Sequence, residues 1–269
     1  MSKIHPFFDF MPRIVAHRGD SGSFPENTLL AFESAVKMNV DVIETDVHIS
    51  KDGAIVIWHD PTLDRNTDAT GRIEDHTLAE LKDFDAGYTF TLDGGVTYPF
   101  RGKGVHLATL EEALEAFPTT RFNVDLKSKE ETIVAAFIKL ITKHDAFDRV
   151  VGASFHLKNL KALRKAEKRI QTSLTTLEVL PLLAKQKLGV LSSKKQKDLT
   201  IFQVPPRQWG IEVVTPRFVE IMHKRGAIIQ VWTINEREEM KRLLQMGVDS
   251  IMTDHPLIAL EVAKELGFR

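Results

Sequence analysis

The sequence contains no cysteine. That excludes disulfides, thiolate metal sites and cysteine nucleophiles, and it fits a reducing compartment. A long hydrophobic run is also missing. No window approaches the ~18 uninterrupted apolar residues of a membrane-spanning helix. The opening MSKIHPFFDF breaks its apolar stretch with Pro6 and Asp9 and does not read as a secretory signal. Charge of one sign is absent too. Lys and Arg number 36 against 37 Asp and Glu, a formal net charge of -1. No global basic field favours nucleic acid, so an anionic ligand must be held by a local site. Repeats and low-complexity tracts are lacking. These absences point to a cytoplasmic protein with no membrane span and no nucleic-acid partner. No pattern specifies an oligomeric state. The 269 residues suffice for one domain with a sizeable core.

What is present is an alternation of short apolar runs with helical patterns. Strands are expected at 13–17, 41–49, 121–127, 149–154, 170–174, 199–204, 227–233 and 249–253. Helices are expected at 27–38, 109–117, 131–144, 156–168, 176–188, 216–225, 235–246 and 257–267. Eight strands, each followed by a helix, predict an α/β fold of the closed TIM (β/α)8 type. A doubly wound open sheet shows the same alternation, but no glycine-rich phosphate fingerprint follows any strand.

One connection is too long. After the second strand, KDGAIVIWHD reads as a turn at Asp52-Gly53 and a further strand, making 45–58 a hairpin extension. An insertion over about 60–108 follows, rich in turn residues, with one short helix around 77–83. Within a single 1–269 domain, such a segment forms a lid or small subdomain over the top face.

Alternation along the second strand puts Glu44, Asp46 and His48 on one face. Carboxylates two residues apart lie about 7 Å apart. Buried together, they require neutralisation, either by Arg18 or Lys127 or by a divalent cation such as Mg²⁺, Ca²⁺ or Mn²⁺. The third strand repeats the pattern with Asn123, Asp125 and Lys127. Asp125 is a candidate third ligand, and Lys127 a candidate partner for an anionic substrate. The first strand runs into AHRGDSGSFPENT, ending in His17 and Arg18, and IVIWHD ends in His59. Arg18 suits phosphate, and paired histidines suit proton transfer. His59 is assigned as acid and His17 as base. The set fits metal-assisted phosphoryl transfer. Asn27 is read as the N-cap of the helix at 27–38, a place from which it could also serve as a ligand, and Trp232 as a pocket wall or core residue. His48 and His106 receive no role.

AHRGDSGSFPENTLLAF, VIETDVHISKDGAIVIWHDPTLDRNTDATG and TLAELKDFDAG, with VDLK, ASF, VWTIN and GVDSIMTDHP, resemble the glycerophosphodiester phosphodiesterase family over nearly the whole chain. The resemblance implies a TIM barrel with an inserted subdomain. It implies metal-dependent hydrolysis of small-molecule glycerophosphodiesters, such as glycerophosphocholine or glycerophosphoethanolamine, to an alcohol and sn-glycerol 3-phosphate. The implied metal is Mg²⁺ or Ca²⁺. His17 and His59 match the catalytic pair, Arg18 the phosphate-binding arginine, and Glu44 and Asp46 metal ligands. Phe155 and Trp232 match positions lining the glycerol side of the pocket. Asp125 stands where the family usually has Glu. The shorter side chain shifts the metal, admits a bridging water or lowers affinity. Two other readings compete: a lysophospholipase D-like phosphodiesterase, and a catalytically inactive phosphate- or metal-binding barrel. A long apolar groove in the insertion would favour the former, and VTYPFRGKG has too few apolar residues to form one.

Overall fold

The computed structural model describes residues 5–9, 13–192, 194–196 and 199–269. Part of the opening segment read for a signal, residues 1–4 and 10, lies outside them. The Val- and Ile-rich runs form strands buried on both faces, as parallel barrel strands are. In chain order the strands are β1 (Arg13–His17), β2 (Val42–Ile49), β3 (Ile55–Ile57), β4 (Arg121–Leu126), β5 (Val150–Ala153), β6 (Gln171–Thr172), β7 (Thr200–Val204), β8 (Arg207–Gln208), β9 (Ile211–Glu212), β10 (Ala227–Val231) and β11 (Ser250–Thr253), of which β8 and β9 form a separate, exposed antiparallel hairpin. Pairing runs β6-β5-β4-β2-β1-β11-β10-β7. A parallel bridge between Ser173 and Ile201 joins the two ends. The open doubly wound sheet is thereby excluded, because β11 lies beside β1.

Helices α1 (Leu29–Lys37), α2 (Leu78–Lys82), α3 (Leu110–Ala116), α4 (Thr132–Lys143), α5 (Leu157–Ala166), α6 (Thr176–Lys187), α7 (Pro216–Lys224), α8 (Arg237–Met246) and α9 (Pro256–Glu265) complete the chain. Thr77, Thr109 and Thr175 each form a capping box with a glutamate three residues on, which fixes the starts of α2, α3 and α6. The first helix departs from expectation. Its N-cap is Thr28, whose side chain accepts from the Ala31 N–H. Asn27, with φ 57°, stands outside the helix and does other work.

Two large apolar clusters pack helices onto opposite halves of the barrel. At its amino end, Phe7 and Phe8 close the interior against Val15, Val42, Val151 and Ile228. The Ser50–Gly53 turn returns β3 antiparallel onto β2, as the hairpin reading required. The long connection then gathers Val56, Trp58, Leu63, Ile73, Leu81 and Leu107 into its own small core. No helix among the described residues is long and apolar enough to cross a membrane.

Candidate active site

Register places the chemistry in rows at the carboxyl ends of the strands. His17 pairs with Glu44, and Glu44 with Asn123; two residues on, Asp46 pairs with Asp125. One cavity of about 510 Å³ is lined by His17, Arg18, Glu44, Asp46, His59, Asp125, Lys127, Phe155 and Trp232. Every site residue expected from sequence is therefore brought to one place.

Each histidine is braced through Nδ1. His17 Nδ1 lies 2.6 Å from Asp254 Oδ1, and His59 Nδ1 lies 2.5 Å from Asp60 Oδ1. These bonds leave Nε2 of each ring as the working nitrogen. Asp254 is itself held by Ser21 Oγ (3.0 Å) and Asn235 Nδ2 (2.7 Å). Burial opposes charge on both rings. For His17 the Asp254 hydrogen bond and Glu44 outweigh it, and the ring titrates above its ordinary value. For His59 burial prevails, helped by Arg18 and Lys127, and the ring titrates below. His48, buried nearby, lies 3.2 Å from the His59 carbonyl oxygen and steadies that turn.

Arg18 has φ 56°, and Gly19 follows at φ 84°. Glycine is required at 19: an added Cβ would lie 2.7 Å from the Ala31 backbone. This turn lets the Arg18 N–H donate back to the Glu44 carbonyl at 3.0 Å while its guanidinium reaches Glu26 (3.0 Å) and Asp46 (3.2 Å). Glu26 also accepts from Arg65 (2.6 Å), and Arg65 Nε donates to Asp60 (2.5 Å). One arginine from the insertion thus ties the support of Arg18 to the support of His59.

The carboxylates are unevenly matched. Lys127 Nζ reaches both Asp125 (2.7 Å) and Asp46 (2.9 Å). Asn27 Nδ2 donates to Asp46 (2.9 Å), while its Oδ1 accepts from Thr45. Burial is outweighed at Asp46, where Lys127 and Arg18 hold the carboxyl well below the usual range. At Glu44 burial, then Asp46, prevail over His17, Arg18 and Lys127 and push the carboxyl up to about 7. Burial raises Asp125 as well, and its Oδ1 is buried without a hydrogen-bond partner. Neutralisation by Arg18 and Lys127 is real but incomplete. Three buried carboxylates face Arg18 and Lys127, with His17 Nε2 4.0 Å from Glu44, and Asp125 Oδ1 is left over, which suits a hard divalent ion. Elsewhere, Glu111, Glu115 and His144 bring ligand atoms within 4.8 Å of one another. That group lies outside the cavity, and Lys143 already pairs with Glu111. The cavity carboxylates are spaced instead by Lys127.

Asp254, Asp60, Glu26 and Arg65 were not singled out from sequence. Asp254 was within reach: in a closed barrel the last strand adjoins the first, so the residue after β11 falls beside the residue ending β1.

The profile of the glycerophosphoryl diester phosphodiesterase family matches residues 17–258. A glycerophosphodiester phosphodiesterase of Bacillus subtilis is 32% identical, covering 93% of this chain and 86% of that protein. A mouse lysophospholipase D is 27% identical, with coverages of 92% and 84%. An Oleispira antarctica phosphodiesterase, solved with its product sn-glycerol-3-phosphate, superposes with a TM-score of 0.77 at 25% identity, covering 96% of this chain and 99% of that one. The histidine pair, the arginine and the buried acids thus sit in a chain that belongs to the glycerophosphoryl diester phosphodiesterase family, a phosphoric diester hydrolase.

Proposed function

We propose that the protein hydrolyses glycerophosphodiesters to sn-glycerol 3-phosphate and an alcohol, with His17 and His59 as the proton-transfer pair. The carrying observation is the pair of carboxylate-braced rings opening on one cavity with Arg18 and Lys127. Arg18 and Lys127 bind the phosphate oxygens and oppose the charge that grows on them in the transition state. Phe155 and Trp232, edge to face at 6.2 Å, flank the glycerol.

The opposite bias of the two rings supports a division of labour. Neutral His59 takes the proton of the attacking nucleophile through Nε2. Charged His17 gives a proton to the departing alkoxide, with Asp254 stabilising its imidazolium form. This reverses the roles assigned from sequence, because strand-end position carries no information about Asp254. Glu44, Asp46 and Asp125 would hold Mg²⁺ or Ca²⁺, which supplies Lewis acidity at a phosphate oxygen. Asp125, one methylene shorter than the family's usual Glu, retains the unpaired oxygen that such a role needs.

Release of glycerol 3-phosphate from glycerophosphocholine tests the reading, with EDTA and then with Mg²⁺ or Ca²⁺ restored. Turnover is expected to vanish with EDTA, to return with metal and to collapse in His59→Ala. Turnover that survives EDTA removes the metal assignment. Phosphate binding without turnover in any condition favours the inactive-barrel reading.

A further inference from the structure

Behind the cavity lies a second polar cluster. His48, Ser128 and Asn159 are buried there, and Glu74 reaches them from the 3-10 turn Ile73–Asp75 of the insertion. His48 follows Glu44 and Asp46 on one face of β2. A carbonyl oxygen only accepts, so His48 Nε2 carries a proton and donates it to the His59 carbonyl at 3.2 Å. Ser128 Oγ stands 3.3 Å from the other nitrogen of that ring and 3.1 Å from Glu74 Oε1, and it accepts the Ile49 N–H at 3.1 Å. The Ser128 carbonyl is held as well, by Asn159 Nδ2 at 2.7 Å. His156 Nε2 lies 3.1 Å from the Lys127 carbonyl, and Ser154 Oγ donates to that of Leu126 at 2.7 Å. Side chains after β5 thus fix the backbone that carries Lys127, and Ser128 extends this frame through His48 to His59. Apolar side chains would fill the space at a lower desolvation cost. A bonded polar cluster instead specifies one geometry, and this one has His59 at one end and Lys127 at the other.

We infer that Ser128 and His48 are positioning residues, which together set the His59 ring relative to the Lys127 ammonium across the phosphate site. The inference rests on the proposed roles of His59 and Lys127. Neither positioning residue touches the substrate. His48 holds the main chain of His59 itself, and Ser128 is the residue after Lys127. Through Glu74 the insertion joins the same frame, so its docking becomes part of the alignment of the site.

Glycerol 3-phosphate release from glycerophosphocholine is measured in wild type, His48→Ala, His48→Gln, His48→Asn, Ser128→Ala and the double alanine variant, with thermal unfolding alongside. In each alanine variant kcat should fall roughly tenfold or more with KM little changed. The Gln amide reaches the His59 carbonyl and the shorter Asn amide does not, so His48→Gln should keep most of kcat and His48→Asn lose it. That pair also carries the test if an alanine variant does not fold. The double variant should be little worse than His48→Ala alone, because both side chains act on one carbonyl. A second readout needs no turnover: in long-range 1H–15N spectra of the histidine rings, the His59 signals, identified by their loss in His59→Ala, should move in Ser128→Ala. Wild-type kcat in the folded variants, equal kcat for His48→Gln and His48→Asn, additive losses in the double variant, or unmoved His59 signals overturns the positioning role. No glycerol 3-phosphate from wild type overturns the phosphodiesterase reading, and the positioning role falls with it.

Discussion

Asp254→Asn tests the reading at one bond. The carboxylate accepts from three donors: His17 Nδ1 at 2.6 Å and Ser21 Oγ at 3.0 Å on Oδ1, and Asn235 Nδ2 at 2.7 Å on Oδ2. An amide of the same shape has one acceptor oxygen and one NH₂. If its oxygen serves Asn235, its NH₂ points at His17 Nδ1 and strips that atom of its proton. If it turns round, two NH₂ groups oppose each other. In the first arrangement the imidazolium loses its partner and His17 is held in the wrong tautomer. Removing the charge also removes the largest influence that raises His17, so its pKa falls and less of the acid form exists at neutral pH. Loss of a general acid costs roughly 10²–10⁴ in rate, and loss of a charge-assisted hydrogen bond costs about 1.5–3 kcal/mol of stability. Glycerol 3-phosphate release should therefore drop by roughly two orders of magnitude or more, with the basic limb of the kcat/KM profile moved to lower pH. Residues acting as one unit are non-additive, so His17→Ala combined with Asp254→Asn should be little worse than His17→Ala alone. A wild-type kcat with an unmoved profile would refute the assigned role of Asp254.

Cation binding should release protons near about pH 6, because Glu44, pushed up to about 7, must ionise to become a ligand. Calorimetry in two buffers of different ionisation enthalpy detects the release, and Glu44→Gln should reduce it. The same residue sets a stability trend in metal-free protein. Its folded pKa lies above the unfolded value of 4.5, so its contribution is full below that value and is lost as pH rises through about 7; urea titrations across this window check the sign. Arg65→Ala should lower kcat roughly tenfold with Tm little changed, since Arg65 is 47% exposed yet joins Glu26 to Asp60; an unchanged kcat would leave that network without function. Gly19→Ala should cost about 1–3 kcal/mol, seen as a Tm drop of several degrees, because φ is 84° and the new Cβ meets the Ala31 backbone.

Much of the site was legible because strands obey a period of two. Once Glu44 and Asp46 share a face of β2, and Asp125 and Lys127 a face of β4, parallel pairing leaves little freedom, and Asp46 opposite Asp125 follows. The ends of strands were equally readable, since barrel enzymes collect their chemistry there. What could not be read were contacts set by closure and by loops. Asp254 meets His17 only because β11 pairs with β1. Arg65 meets Glu26 across 39 positions of sequence. Asn27 was misassigned because its neighbour Thr28 is an equally good cap, and only the left-handed backbone at 27 turns that side chain onto Asp46.

The same distinction explains α6. Apolar residues at helical spacing report that a helix has an apolar face; they do not report what covers it. Along α4, Ile133, Phe137 and Ile141 follow that spacing and are wholly buried in the core. Along α6, Val179 and Leu183 follow it as well and pack with the core, yet they and Leu180 and Ala184 beside them also line the cavity. In sequence α6 differs from α4 in carrying Pro181 inside it. The difference in what covers the two helices arises because the connection after β7 carries the β8–β9 hairpin, which walls a groove opposite α6. A barrel helix becomes a cavity wall through what its neighbouring loop builds against it.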